Sequence, residues 1–138
     1  CIICGDLIHA YCKQIPSCLS WFESQLSAFD TQFILTLGNH DSNKIAPLLK
    51  QIKCVPTYQV AELMFSHYLS QTQPTISGHI HPGVKIKKGR IIRTYKAFLV
   101  DSFNIVCPSY GCYTGMYSKV DPKFEIYYIQ KSCVKRYS

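Results

Sequence analysis

Apolar residues fall along this chain in short separated runs. Cys1-Ile2-Ile3-Cys4 is a continuous apolar run stopped by Gly5-Asp6, the pattern of a short buried strand feeding a loop. Leu19, Phe22, Leu26 and Phe29 then recur at helical spacing behind Pro16 and Ser17, which predicts a helix from an N-cap at Ser17 to about Phe29. Phe33-Ile34-Leu35-Thr36-Leu37 reads as a second buried strand, ended by Gly38-Asn39-His40-Asp41. Ile45, Leu48, Leu49 and Ile52 return to helical spacing, with Pro47 tolerable only near the start of that second predicted helix. Beyond it the runs shorten and alternate. Glu62–Ser66 reads as a strand ending at His67, and Thr75-Ile76-Ser77 as a strand ending at Gly78-His79-Ile80-His81. Ala97–Val100, Phe103–Cys107 and Phe124–Ile129 are three further strand-like runs. Strand, helix, strand, helix and then several strands predict an α/β fold with a β-rich second half.

Length and composition narrow this picture. A chain of 138 residues is one domain's worth, and neither an internal repeat nor a low-complexity linker divides it, so a single domain over residues 1–138 is expected. An apolar fraction of 47% with 17% charged residues excludes a disordered chain. No apolar run approaches the roughly 18–20 residues of a membrane span, so no membrane partner is expected. The eight cysteines are scattered. Cys1 and Cys4 have C-x-x-C spacing, but in a strand they point to opposite faces, and no second pair exists to complete a zinc ribbon. Nothing signals export, so the expectation is mostly buried free thiols in a cytoplasmic protein.

The net charge of +7 favours anionic partners such as nucleic acid or phosphoesters, although many small soluble proteins are as basic for no specific reason. No acidic residue lies between Glu62 and Asp101, whereas Lys85, Lys87, Lys88, Arg90, Arg93 and Lys96 do. This stretch suits phosphate contacts, and equally suits a solvated hairpin. Tyr95, Tyr110, Tyr113 and Tyr117 have the chemistry to stack on bases, or to pack in a core or at an edge.

The five histidines carry more information. His40, His67, His79 and His81 each lie just beyond a predicted strand, and His9 follows Asp6, which does too. Singly, each is more readily a surface or core residue than a ligand. Together they are at the strand ends whose loops gather into one crevice in α/β sheets. Asp6, Asn39, His67, His79 and His81 offer a carboxylate able to bridge two divalent ions, an amide oxygen and imidazoles.

Gly5-Asp6, Gly38-Asn39-His40-Asp41, His67 and Gly78-His79-Ile80-His81, in this order, resemble the motif blocks of the calcineurin-like metallophosphoesterases. Gly5-Asp6-Leu7-Ile8-His9, the run from Ser77 to Val84 and the tail Cys107-Pro108-Ser109-Tyr110-Gly111-Cys112-Tyr113-Thr114-Gly115 are similar to the bacterial branch of ligase-associated DNA-damage-response endonucleases. With that tail, the resemblance covers about residues 1–117. It implies a sandwich of mixed β-sheets flanked by helices, and two divalent ions in the parent enzyme, Mn²⁺ first, with Fe or Zn²⁺ as alternatives. Asp6 would bridge the ions, Asn39, His67 and His79 would complete one shell, and His81 would ligate the other ion. A hydroxide activated between the metals would attack phosphorus, with His40 donating to the phosphoryl group or leaving oxygen and Asp41 orienting His40. His9, Lys85, Lys87 and Arg90 would contact substrate; for His9, a turn residue bonded to backbone is an equal reading.

The family opens with an Asp-x-His block on its first strand, ahead of Gly-Asp. This sequence begins at Cys1 and contains no Asp-x-His, so the expectation is an N-terminally truncated domain lacking its first strand, with one well-formed metal site. The implied function is phosphodiester hydrolysis on nucleic acid or nucleotides, with DNA-repair proteins as partners. A phosphomonoesterase or pyrophosphatase acting on a small molecule, and a non-catalytic metal- or nucleic-acid-binding remnant, are the alternatives.

Overall fold

Short parallel strands build the first half of the chain. The computed structural model describes residues 1–9, 12–41 and 45–137 and divides them between two units, Cys1–His67 and Tyr68–Ser138. In the first unit, β1 (Ile2–Ile3) and β3 (Ile52–Val55) flank β2 (Phe33–Thr36) in a parallel sheet of order β1-β2-β3. Ile2 pairs with Ile34, Ile3 with Leu35, and Phe33 with Ile52. Parallel register puts the carboxyl ends of β1 and β2 side by side, so the loops opening at Gly5 and Gly38 leave the same edge. The helix α1 (Ile15–Leu26) supplies Ile15, Leu19 and Leu26 to one core with Leu35, Ile45, Leu49 and Ile52. Each such side chain contributes about 1.5–3 kcal/mol when fully buried. The hairpin of β4 (Thr57–Val60) and β5 (Leu63–Ser66) follows, and His67 comes directly after it.

In the second unit the strands are β6 (Thr75–Ser77), β7 (Gly83–Lys88), β8 (Ile91–Val100), β9 (Asn104–Val106), β10 (Glu125–Gln130) and β11 (Cys133–Arg136). Their order is β11-β10-β8-β9-β6, with β7 on the first half of β8. The sheet is mixed, because β6 and β9 run parallel while the other pairs are antiparallel. Val84, Ala97, Leu99 and Val106 are buried apolar residues of this unit, and Thr75, Ser77 and Asn104 are buried with them. Asp101 makes the turn between β8 and β9, its carboxylate accepting the N–H groups of Phe103 (2.7 Å) and Asn104 (2.6 Å). The three two-residue hairpin loops each begin at positive φ, at Ala61 (51°), Gly89 (61°) and Lys131 (55°). That is the backbone that matches the right-handed twist of paired strands.

The α/β class and the β-rich second half are as expected, and several boundaries are not. The helix begins at Ile15 rather than after Ser17 and stops at Leu26. Pro16 occupies the first turn, where its missing N–H costs no helical bond, and Phe29 lies outside the helix and exposed. The second predicted helix is instead a 3₁₀ turn over Ala46–Leu48 followed by β3. Ile45, Leu49 and Ile52 are buried in the core all the same. Pro47 gives the short turn its fixed φ, and Ile52 already belongs to a strand paired with Phe33. All eight cysteines are free, but Cys1, Cys12, Cys18, Cys112 and Cys133 are exposed, so the expectation of mostly buried thiols is corrected. Among the described residues no helix is long and apolar enough to cross a membrane.

Candidate metal centre

The loops leaving β1 and β2 and the residue after β5 place Asp6, Asn39 and His67 together. His67 is almost wholly buried, and each of its ring nitrogens meets an oxygen. Nδ1 lies 3.0 Å from the carbonyl oxygen of Cys4, which can only accept, so Nδ1 carries the ring proton. In the neutral ring Nε2 then presents its lone pair, and it faces Asn39 Oδ1 at 3.0 Å and Asp6 Oδ2 at 3.3 Å. Three electron-pair donors converging on one point repel one another unless positive charge stands among them, as a proton on Nε2 or as a cation. One imidazole nitrogen, one carboxylate oxygen and one amide oxygen fit Mn²⁺, Fe or Zn²⁺. A backbone carbonyl fixing the far side of a ligating imidazole is the usual support for such a ligand.

The backbone around these donors is tightly specified. Gly5 has φ of 82°, and a Cβ there would run into the His67 ring, 2.8 Å from His67 Cβ. A Cβ at Gly38 would meet the Asp6 carboxylate and come within 2.7 Å of the Asp6 nitrogen. Gly5→Ala therefore forces a strained φ, which costs about 1–3 kcal/mol, and pushes His67 away from Asp6. It should lower the urea midpoint and weaken divalent-ion binding together; a variant with unchanged ion affinity would show that His67 is not a ligand. Asp6 itself lies at φ 53°, and His79 and His81 in the second unit at 66° and 52°. Side chains rarely adopt this left-handed backbone outside hairpin turns, and the strain concentrates at residues that the motif pattern singles out.

Asp41 has a task the sequence did not suggest. Its carboxylate accepts the N–H groups of Asp6 (2.6 Å), Leu7 (2.9 Å) and Gly38 (2.9 Å), tying the two loops to each other. These bonds run to backbone, a structural task that stands beside the expected orienting of the His40 ring. His40 is held by its own main chain, whose N–H donates to Asp6 Oδ1 at 2.9 Å, while its ring lies 4.2 Å from that of His9. So His9 meets an imidazole, an arrangement its expected rim position did not specify.

In the second unit His79 packs edge-on to Tyr68, 4.8 Å between ring centroids, and the carbonyl oxygen of His81 accepts the Tyr117 N–H at 2.9 Å. Lys85 and Lys87 share one face of the β7–β8 ribbon and Arg90 stands in its turn, all three exposed. Cys54 and Cys107 are poorly suited to act as thiol nucleophiles. Burial, reinforced by the negative charges of Asp41 and Glu23, pushes the Cys54 thiol above its usual range, and burial does the same to Cys107. Reactive cysteines need the opposite shift. The sequence also gave no sign of the Cys4 carbonyl, because a main-chain acceptor leaves no residue-type signature.

Comparison with known proteins agrees with this architecture. The chain is similar to the crystal structure of Pseudomonas putida nuclease MPE, at 26% sequence identity and a TM-score of 0.71, over 92% of this chain. It spans 65% of the length of that chain. The mixed α/β arrangement, with several sheets and few helices, is thus shared with that protein. No protein-family model and no curated protein matches the sequence.

Proposed function

We propose that this chain is a calcineurin-like, metal-dependent phosphoesterase that cleaves phosphodiester bonds in nucleic acid or nucleotides. The observation that carries this reading is the meeting of Asp6 Oδ2, Asn39 Oδ1 and His67 Nε2, with the His67 proton held on the far side by Cys4. Likeness to a nuclease supports the choice of substrate, and similarity to the ligase-associated endonucleases suggests a DNA substrate and repair proteins as partners. Residues 1–138 are read as one phosphoesterase domain. His79 and His81 join the ligand set through the motif block Gly78-His79-Ile80-His81, an assignment that rests on the resemblance and on the chemistry of two imidazoles flanked by tight-turn residues.

A divalent ion held by these residues supplies Lewis acidity at a phosphoryl oxygen and a more acidic water. The protein groups do the rest. Asp6 balances the cation's charge, and its second oxygen fixes the His40 backbone. His40, steadied by that bond and by the His9 ring, donates a hydrogen bond to a phosphoryl oxygen or a proton to the leaving oxygen. Lys85, Lys87 and Arg90 hold the flanking phosphates, which makes binding weaken as salt rises.

The test is hydrolysis of a single-stranded oligonucleotide and of a simple phosphodiester with Mn²⁺, Fe²⁺ or Zn²⁺, each with and without chelator. Turnover that needs the ion supports the reading, and equal turnover in chelator contradicts it. His40→Ala should lower turnover by roughly 10²–10⁴, the range for a general acid, while calorimetry finds ion affinity nearly unchanged. Loss of the ion in that variant would make His40 a ligand instead.

A further inference from the structure

The loop of residues 107–117 holds its backbone firmly while presenting aromatic rings to solvent. Lys96 Nζ donates to three carbonyl oxygens in a row, those of Ser109 (2.6 Å), Tyr110 (3.0 Å) and Gly111 (2.7 Å). The far end is tied to the histidine loop, with the Tyr117 N–H donating to His81 and the Gly83 N–H to Tyr117, both at 2.9 Å. Met116 packs so closely on Gly83 that a Cβ there would come within 2.8 Å of the Met116 Cβ. Between these anchors Tyr110 and Tyr113 are fully exposed. Tyr95 differs, since its ring packs 5.6 Å from that of Tyr128 and its hydroxyl accepts from Gln130 at 3.3 Å. A tyrosine used for packing looks like Tyr95. Two rings left bare on a backbone stapled by an ammonium do not.

We propose that Tyr110 and Tyr113 form a stacking platform for the bases of single-stranded nucleic acid, with Lys96 as the residue that positions it. The occupant follows from charge and shape. The same unit carries Lys85, Lys87, Lys88, Arg90 and Arg93 and has no acidic residue before Asp101, so it attracts a polyanion. A single strand offers both the anionic backbone and free π-faces, whereas a duplex hides those faces in its own stack. Each stacked base is worth about 1–3 kcal/mol, or roughly 5–150-fold in affinity. As a subsite the platform rests on the phosphodiesterase reading, placing unstacked bases beside the histidine loop.

The experiment is fluorescence anisotropy in chelator, which prevents hydrolysis, with a labelled oligothymidine of about 12 nucleotides and the same backbone made abasic. The intact chain should bind the base-bearing strand at least about fivefold more tightly than the abasic one. Tyr110→Ala with Tyr113→Ala should erase that preference, the two Phe replacements should keep it, and Lys96→Met should reduce it while both rings remain. An intact chain that binds the two strands equally, or a double Ala variant that keeps the preference, overturns the platform; capture of a protein partner in their place would then explain the bare rings. If base preference is found but no phosphodiester is cut with any divalent ion, the platform stands and the catalytic reading falls.

Discussion

Asp41→Ala is expected to cost the protein about 3–5 kcal/mol and to abolish the site with the fold around it. Three backbone N–H groups, on Asp6, Leu7 and Gly38, converge on this one buried carboxylate. Bonds to an ionised acceptor contribute about 1.5–3 kcal/mol each, and a buried donor left without an acceptor costs about 1–3 kcal/mol. The contributions are not additive, because the loops relax once the clamp is gone. Even so the sum is a large share of the roughly 5–15 kcal/mol that stabilises a domain. Urea denaturation measures it as a lower midpoint with an unchanged slope. Asp41→Asn, which retains one oxygen, should lose distinctly less. An Asp41→Ala protein of full stability with depressed turnover would mean that Asp41 acts on His40 rather than as a clamp.

The second large effect is on chemistry rather than on stability. Asp6→Asn keeps the shape of the side chain and an oxygen to accept the His40 N–H, but removes the negative charge that faces His67. Changing groups that only support metal ligands typically costs 10–100-fold in affinity or activity, so losing a charged ligand should exceed about 100-fold in both. Metal-dependent hydrolysis of a phosphodiester should fall by that factor, with the urea midpoint little changed. Retained turnover would exclude Asp6 from the reaction.

Much of this site was legible because its side chains follow strand ends. Asp6, Asn39 and His67 could be singled out from apolar runs that stop at Gly-Asp, Gly-Asn-His-Asp and a lone histidine, and the parallel register of β1 and β2 explains why two of those stops are neighbours. Asp41 was visible as a residue, but its clamping of the two loops was not, because its partners there are main-chain N–H groups that any sequence supplies. The second helix was misread for a different reason. Ile45, Leu49 and Ile52 are all buried, so their spacing reported burial correctly, but a turn followed by a strand can bury the same residues. The ribbon of β7 and β8 was legible as a candidate hairpin but not in extent, since Ile91 and Ile92 are exposed and no core face imposes alternation there. Packing and stacking tyrosines have the same sequence signature, and only exposure separates Tyr110 and Tyr113 from Tyr95.

Calorimetric titration of Mn²⁺ into the intact chain and into His67→Gln tests the central claim most directly, namely that Asp6, Asn39 and His67 hold a divalent cation. Saturable binding by the intact chain, weakened more than about 100-fold in the variant while its urea midpoint shows it still folded, is the predicted result. Equal affinity in the two proteins, or no saturable binding to the intact chain, would contradict it.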